Sequence, residues 1–306
     1  MEIQYRLNFE VYRRPFRTPL KTHHGLWSVR EGLIVSLTDA LGNTTRGEIA
    51  PLPWFGTETL AEAIAFCSDI SGHLSSRKIQ QIPNHLPACQ FGFETATWPV
   101  NPELLSSILN PEKCCQLLTP QVEMQSQVLT FIKQGFRTFK LKIAVHNFTD
   151  ELECCEQILA ILPPDGKLRL DANGGLSLEL AKRWGEWGDR QPQLEFLEQP
   201  LSPENFTQLL WLQNNFQTTI ALDESVTNLE NLVACYEQGW RGVFVIKAAI
   251  AGFPHRLKEL CNTLDLDVVF STVFETVVGR NALLHLASEV RHDRAFGMGG
   301  SHWFND

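Results

Sequence analysis

The stretch RTFKLKIAV, residues 137–145, decides the fold, because it reads as a buried strand interrupted by two cations. Apolar residues alternate with Lys140 and Lys142, and the side chains of a strand repeat with a period of two. The two lysines therefore share one face of the strand, and the apolar residues share the other. Two neighbouring cations on one face of a core element raise the question of what they do.

Similar short apolar runs recur along the second part of the chain, and each of them ends in polar residues. The spacing between these polar residues falls from 29 to 24 along the series Lys142, Asp171, Glu198, Asp223, Lys247, Ser271. Helical patterns such as LELAKRWGEWG (178–188) lie between the runs. A strand, a helix and two short loops need about that many residues, so the pattern predicts βα repeats and a parallel sheet.

Eight such strands predict an α/β fold of the (β/α)8-barrel type over residues 112–300. No Gly-rich phosphate fingerprint follows any strand, which argues against the alternative of an open doubly wound sheet. At roughly 190 residues the barrel is shorter than the typical ~250. We therefore expect a short, (β/α)7β-like barrel in which some helices are short or missing.

Residues 1–100 follow a different pattern, which predicts an N-terminal α+β capping domain. The stretch EIQYRLNFEV (2–11) alternates as a strand does, and a turn is expected at residues 41–43. Residues 57–98 are predicted to be helical, with Thr57 as the first helix cap. The C-terminal tail is expected to pack on this domain.

Bulk properties exclude several classes of partner. The net charge of −9, without a dense Lys/Arg cluster, argues against nucleic acid. The N-terminus does not read as a signal peptide, and no run of 18 apolar residues predicts a membrane span. The eight cysteines contain no C-x-x-C pair, which favours reduced thiols over disulfides or zinc. We therefore expect a cytoplasmic protein.

The polar residues at the strand ends predict a metal-assisted active site, since barrel enzymes place their chemistry at the carboxyl ends of the strands. One acidic residue at a strand end is usually solvated or a helix cap, but Asp171, Glu198 and Asp223 lie in phase on consecutive strands. Such carboxylates suit Mg²⁺, with Mn²⁺ as the other candidate. A lysine beside a cation can act as a neutral base, so Lys142 and Lys247 on either side of the metal predict carbon-acid chemistry.

The motifs KLK, DAN, EQP and DES, followed by a lysine on the next strand, resemble the muconate-lactonising branch of the enolase superfamily. The segments GEIAPLPWFGTETL (47–60) and FGFETATW (91–98) resemble the capping domain of that branch. With the short length, the resemblance is closest to the o-succinylbenzoate synthase family. It implies Mg²⁺-dependent syn dehydration of 2-succinyl-6-hydroxy-2,4-cyclohexadiene-1-carboxylate, a lyase reaction of menaquinone and phylloquinone biosynthesis.

The resemblance also implies a role for each site residue. Lys142 would remove the α-proton, Lys247 would stabilise the enediolate from the opposite side, and Lys140 would tune Lys142. Asp171, Glu198 and Asp223 would hold the metal. Asn173 and Glu224 would orient these groups, although a simple strand-end hydrogen bond explains them equally well. The small-molecule carboxylate substrate would contact a further set of residues: Arg169, Ser271, Thr272, Trp54 and Gly299.

Other functions stay open at this point. The same scaffold supports racemisation of an N-succinylamino acid or epimerisation of a dipeptide, because two lysines supply a base on each face of the α-carbon. A non-catalytic barrel that serves as a binding protein is the remaining alternative, which the intact set of lysines and carboxylates disfavours. A histidine base from His23 or His24 in a cap loop is a further option, although loop histidines are usually solvated.

Overall fold

The computed structural model describes residues 2–22, 25–70, 72–99, 110–118, 124–298 and 303–304. Two sheets organise this part of the chain: a four-stranded antiparallel sheet from the N-terminal region and a seven-stranded parallel sheet from the rest. The barrel with an N-terminal α+β cap is thus the observed fold. The expected tail residue Gly299 and the loop histidines His23 and His24 lie outside the described residues.

The antiparallel sheet forms the cap, with the strand order β3-β2-β1-β4. Its strands are β1 Gln4–Thr22, β2 Gly25–Thr38, β3 Thr44–Ile49 and β4 Gly72–Ser75. The expected turn joins β2 to β3, where the Asp39 carboxylate accepts hydrogen bonds from the Leu41 and Asn43 backbone N–H groups at 2.9 Å. The prediction that residues 57–98 are helical is wrong for strand β4. This strand pairs with β1 and completes the sheet.

Within the described residues the cap contains three α-helices: Leu60–Asp69, Ser76–Ile79 and Pro87–Thr95. The prediction of Thr57 as a helix cap is wrong, since the first helix is capped by Thr59. Glu62 lies three residues after Thr59, and the two residues exchange side-chain and backbone hydrogen bonds as a capping box. The Thr57 hydroxyl instead accepts from the Leu52 N–H at 2.8 Å.

The parallel sheet runs in chain order from β5 to β11, so that each strand neighbours the next. Its strands are β5 Cys115–Leu118, β6 Thr138–Lys142, β7 Lys167–Asp171, β8 Leu194–Glu198, β9 Ile220–Leu222, β10 Val243–Ile246 and β11 Val268–Phe270. The α-helices are Met124–Lys133, Phe148–Leu159, Leu178–Gly188, Phe206–Asn215, Leu229–Glu237, Ala248–Ala251, Pro254–Thr263 and Val277–Ser288.

A short segment at Phe296–Gly297 closes the sheet into a barrel. Phe296 bridges in parallel to Cys114 and Gly297 bridges to Ser271, so the segment lies between the first and last strands. The Cys115 N–H donates to the Phe296 carbonyl at 2.8 Å, and the Gly297 N–H donates to the Phe270 carbonyl at 2.8 Å. This segment takes the place of the eighth strand, as a (β/α)7β barrel requires.

The cap lies directly against the barrel at a seam around strand β3. Glu48 of β3 is fully buried, and its carboxylate accepts hydrogen bonds from the N–H groups of Thr276 and Gly279 at 2.9 Å. These N–H groups begin the barrel helix Val277–Ser288, whose first N–H groups have no partner within the helix. A cap residue therefore satisfies the start of a barrel helix.

An aromatic cluster joins the cap, the barrel and the tail. Phe16 of β1 stacks on Phe304 with 4.7 Å between ring centroids, and it meets Phe274 of the barrel edge-on at 5.4 Å. Trp303 and Phe304 are both buried in this cluster.

No helix within the described residues is long and apolar enough to cross a membrane. All eight cysteines are free thiols.

Candidate active site

The strand register brings the key polar residues side by side at the carboxyl ends of the barrel strands. Lys142 pairs with Asp171 across β6 and β7, and Asp171 pairs with Glu198 across β7 and β8. Asp223 follows β9 and Lys247 follows β10 directly. Five strands in succession thus present charged side chains to one region.

Lys140 lies between two of the predicted metal ligands. Its ammonium is 2.9 Å from Glu198 Oε1 and 3.0 Å from Asp171 Oδ2. Burial alone would lower the pKa of Lys140, but the carboxylates of Asp171, Glu198 and Asp223 raise it well above its usual value. Lys140 is therefore a fixed cation at the centre of the site.

Lys142 is the more accessible lysine of the pair, with 40% of its side chain exposed against 18% for Lys140. Its ammonium donates to the Asn173 side-chain oxygen and lies 3.8 Å from Asp171 Oδ2. Asn173 in turn donates from its amide nitrogen to Glu224 Oε1 at 2.9 Å. Asn173 thus links Lys142 to Glu224, the acidic residue that follows Asp223.

Lys247 faces this group from the other side, separated from β6 by three strands. Its ammonium contacts Asp223 Oδ1 and lies 4.2 Å from the centroid of the Phe55 ring. Phe55 belongs to the cap turn Pro53–Phe55, so a cap aromatic ring covers a barrel lysine. A ring face attracts a cation by about 0.5–2 kcal/mol.

The carboxylates of the site repel one another. Burial, together with the charge of Asp171, raises the pKa of Glu198 to about 8 despite the nearby Lys140. Burial, followed by the charge of Asp223, raises the pKa of Glu224 to about 7. Burial also acts against ionisation of Asp171, yet Lys140 and Lys142 lower its pKa to about 2. Burial and mutual repulsion therefore oppose full ionisation of these carboxyl groups unless a further cation joins them.

A divalent cation fits this donor set. The charged groups at the strand ends are four carboxyl groups and three lysines: Asp171, Glu198, Asp223 and Glu224, with Lys140, Lys142 and Lys247. Glu224 Oε2 is buried without a hydrogen-bond partner among the described residues. Hard carboxylate oxygens in excess over cations are the environment that Mg²⁺ prefers.

The described part of the chain contains no ready-made cluster of three or more His, Cys, Asp or Glu side chains. Ammonium groups take the positions between the carboxylates instead: Lys140 bridges Asp171 and Glu198, and Lys247 contacts Asp223. The assignment of Asp171, Glu198 and Asp223 as metal ligands therefore stays a prediction.

The residues predicted to bind substrate are dispersed. Ser271 directly follows β11, and its hydroxyl donates to the Gly297 carbonyl at 3.4 Å. The neighbouring Thr272 hydroxyl donates to Glu275 at 2.7 Å. Trp54 is 38% exposed and meets the Trp27 ring edge-on at 5.1 Å.

Arg169 is not brought to the strand ends with the other residues. Its fully buried guanidinium donates to Glu195 at 2.6 Å and to the Ala295 carbonyl at 2.9 Å. Glu195 lies near the amino end of β8, at the opposite end from Glu198. Alternation along β7 correctly placed Arg169 on the inner face but did not tell which end its long side chain reaches.

Sequence reasoning missed Gln199 as a positioning residue. Gln199 is fully buried, and its side-chain oxygen accepts from the Asp223 N–H at 2.9 Å and the Ser225 N–H at 3.1 Å. It has φ 36, a conformation that is uncommon outside glycine. The signal was present in the EQP motif, where a second polar residue follows Glu198.

Two family models match the chain. Residues 123–306 match the model described as enolase C-terminal domain-like, and residues 7–100 match that of the MenC N-terminal domain. Together they cover the barrel and the cap.

Individual relatives agree with these matches. An o-succinylbenzoate synthase from Thermosynechococcus vestitus is 38% identical over 302 residues, which cover 97% of this chain and 93% of the relative. The o-succinylbenzoate synthase from Bacillus subtilis is 24% identical and covers 93% and 80% of the two chains.

Solved structures extend the likeness to three dimensions. The o-succinylbenzoate synthase of Thermosynechococcus elongatus BP-1, solved with magnesium in its active site, superposes with a TM-score of 0.90 at 37% identity. The alignment covers 98% of this chain and 94% of that one. The L-Ala-D/L-Glu epimerase of Bacillus subtilis superposes at 0.80 but is 19% identical, with 100% and 92% covered, and so shares the fold alone. The chain belongs to the o-succinylbenzoate synthase family, within the enolase superfamily.

Proposed function

We propose that the chain catalyses the syn dehydration of 2-succinyl-6-hydroxy-2,4-cyclohexadiene-1-carboxylate to o-succinylbenzoate, as a lyase of menaquinone or phylloquinone biosynthesis. The observation that carries the proposal is the pair Lys142 and Lys247, which flank a row of buried carboxylates in a chain of this family. A row of carboxylates that would hold a divalent cation, with a lysine on each side, suits a substrate whose carboxylate gains charge when its α-proton leaves.

Asp171, Glu198 and Asp223 are the residues that would hold Mg²⁺. A bound Mg²⁺ would neutralise the charge that builds up on the substrate carboxylate. The magnesium in the Thermosynechococcus elongatus structure supports this choice of metal. Mn²⁺, which accepts the same oxygen ligands, is the second candidate.

Lys142 is assigned as the base of the reaction. In neutral form its amine would take the α-proton at C1, and the electron pair of the C–H bond would pass into the carboxylate as an enediolate. The electrons would then return to the ring and break the bond from C6 to the hydroxyl oxygen. The Lys142 ammonium would donate its proton to that oxygen, so that water leaves from the face on which the proton was taken.

The other polar residues would support this proton transfer. The Lys247 ammonium would face the opposite side of the ring and stabilise the enediolate. Lys140, a fixed cation on the same face of β6, would act on Lys142 through its charge. Asn173, which contacts Lys142 and Glu224, would aim the amine at C1.

The succinyl arm would lie towards the last strands of the barrel. Ser271 and Thr272 directly follow β11, and Gly299, which the sequence predicts as an anion-binding residue, lies outside the described residues. Trp54 would shield the ring from water, with Phe55 beside it. Arg169 would affect the substrate only indirectly, because its buried guanidinium pairs with Glu195 inside the barrel.

A racemase or epimerase on the same scaffold is the second candidate, because Lys142 and Lys247 supply a base on each face of an α-carbon. The dehydration needs only one base, so the lysine pair alone does not decide between the two reactions. The non-catalytic barrel is disfavoured, since it gives no reason for three lysines among buried carboxylates.

The ultraviolet absorbance of the diene substrate separates these candidates. Purified protein with Mg²⁺ is mixed with the cyclohexadiene carboxylate, and a parallel sample holds an N-succinylamino acid in D₂O. The proposal expects rapid loss of the diene signal that depends on Mg²⁺. No loss of the diene signal, together with rapid α-proton exchange in D₂O, would assign the chain as a racemase instead.

A further inference from the structure

Arg30 is a buried cation at the seam between cap and barrel, outside the site described above. Only 2% of it is exposed. Within the described chain its guanidinium donates to main-chain carbonyls: to Val273 from Nε at 2.9 Å, to Pro51 and Glu31 from Nη1 at 3.1 and 2.6 Å, and to Ala50 from Nη2 at 2.5 Å. A planar fork of donors can join several carbonyls that a single ammonium cannot reach at once.

Three of the four carbonyls bound by Arg30, those of Ala50, Pro51 and Val273, belong to two segments that border the active site. Ala50 and Pro51 lead into the cap turn Pro53–Phe55, whose Phe55 ring lies against the ammonium of Lys247. We name residues 50–56 the cap segment. Arg30 therefore fixes the start of the cap segment, whose Phe55 ring contacts Lys247.

The second segment comes from the barrel. Val273 lies in residues 271–276, which we name the barrel segment, directly after strand β11. This segment contains Ser271 and Thr272, the residues assigned to the succinyl arm. The Glu275 carboxylate fixes it internally, since it accepts hydrogen bonds from the Thr272 hydroxyl at 2.7 Å and the Val273 N–H at 2.8 Å.

Two acidic residues lie in the same region as Arg30. Burial first, and then Glu48, raise the pKa of the Tyr12 hydroxyl well above its usual value, whereas Arg30 acts to lower it. Glu275 also raises the pKa of Tyr12. Arg30, Glu48 and Glu275 thus all lie near one buried hydroxyl.

We propose that Arg30 is a positioning residue that fixes the separation of the cap segment from the barrel segment, and thereby sets the fit for the anionic arm of the substrate. The arm lies away from the reacting carbon, so Arg30 acts on substrate binding rather than on proton transfer. This inference rests on the proposed function for the identity of the arm. The contacts of the guanidinium carry the positioning itself.

The test uses Arg30→Lys and Arg30→Gln in the full chain, with Arg294→Lys as the control. Arg294 is a partly buried arginine near the opposite end of the barrel, where it pairs with Asp267 and Glu195. We expect KM for the diene to rise about tenfold in Arg30→Lys while kcat falls less than about threefold. The control should lose thermal stability without a change in KM.

Hydrogen–deuterium exchange without substrate provides the second readout. In Arg30→Lys the cap and barrel segments should both exchange faster, and in Arg294→Lys neither should change. Unchanged KM and unchanged exchange in Arg30→Lys would overturn the proposal, as would an equal rise in KM in the control. If the wild-type protein does not consume the diene, the proposed function fails, and KM is then read from α-proton exchange of the N-succinylamino acid.

Discussion

Replacing Glu48 by alanine should destabilise the protein strongly, because one buried carboxylate joins the cap to a barrel helix. Glu48 accepts hydrogen bonds from the Tyr12 hydroxyl at 2.6 Å, from the Thr276 N–H and hydroxyl at 2.9 and 2.5 Å, and from the Gly279 N–H at 2.9 Å. The two hydroxyl groups can rotate towards other acceptors. The two N–H groups at the helix start cannot.

The magnitude follows from those two N–H groups. A buried donor left without a partner costs about 1–3 kcal/mol, so two of them predict a loss of about 4 kcal/mol in the free energy of unfolding. For a chain of this size, 1 kcal/mol corresponds to a shift of about 2 °C, so the midpoint of thermal unfolding should fall by about 8 °C.

Thermal unfolding followed by circular dichroism measures this change. The matched control is Glu62→Ala, which removes a glutamate that also bonds at a helix start but is exposed. The control should shift the midpoint much less, because water replaces the lost bonds. Equal shifts in the two variants would show that burial at the seam does not explain the contribution of Glu48 to thermal stability.

Three further predictions concern the site and the stability of the barrel. Asp223→Asn should raise the Mg²⁺ concentration needed for half-maximal thermal stabilisation by at least about tenfold, and an unchanged titration would remove Asp223 from the ligand set. Phe55→Leu should lower kcat/KM about tenfold through loss of the ring contact with Lys247, whereas a value equal to that of the wild type would make the contact irrelevant to turnover. Burial acts to raise the pKa of Glu195, but the charge and hydrogen bond of Arg169, together with the charges of Lys167 and Arg294, bring the net pKa below its usual value. Glu195 therefore stabilises the fold above its unfolded pKa of about 4.5, and this stability is lost as the pH falls through its folded pKa. Urea unfolding of Glu195→Gln should differ most from the wild type at pH 7 and least at low pH, and a constant difference would contradict this assignment.

Most of the barrel could be predicted from sequence because its signal is periodic. Strands about 25 residues apart, each with a polar residue at its end, indicate both the fold and the edge on which Asp171, Glu198 and Asp223 lie. Alternation within one strand likewise placed Lys140 and Lys142 on a common face. Local patterns of this kind need no knowledge of tertiary contacts.

The cap and the direction of long side chains were harder to predict. Strand β4 is short and exists because β1 offers it a free edge, a long-range contact that leaves no local pattern. Arg169 faces the inside of the barrel as alternation predicts, yet it reaches towards Glu195 because that carboxylate is the buried partner available to it. Arg30 and Glu48 gave no sequence signal at all, since a single charged residue in an alternating strand usually points to solvent.

A comparison of two lysine variants tests whether Lys142 transfers the proton in the dehydration. Lys142→Ala removes the proposed base, and Lys167→Ala removes a half-exposed lysine from the amino end of the adjacent strand β7. Both are assayed for loss of the diene absorbance with Mg²⁺, and Mg²⁺-dependent thermal stabilisation confirms that each variant is folded. We expect Lys142→Ala to lose at least about 10³-fold in kcat, whereas Lys167→Ala stays close to the wild type. A folded Lys142→Ala variant with turnover like that of the wild type would show that Lys142 is not the base.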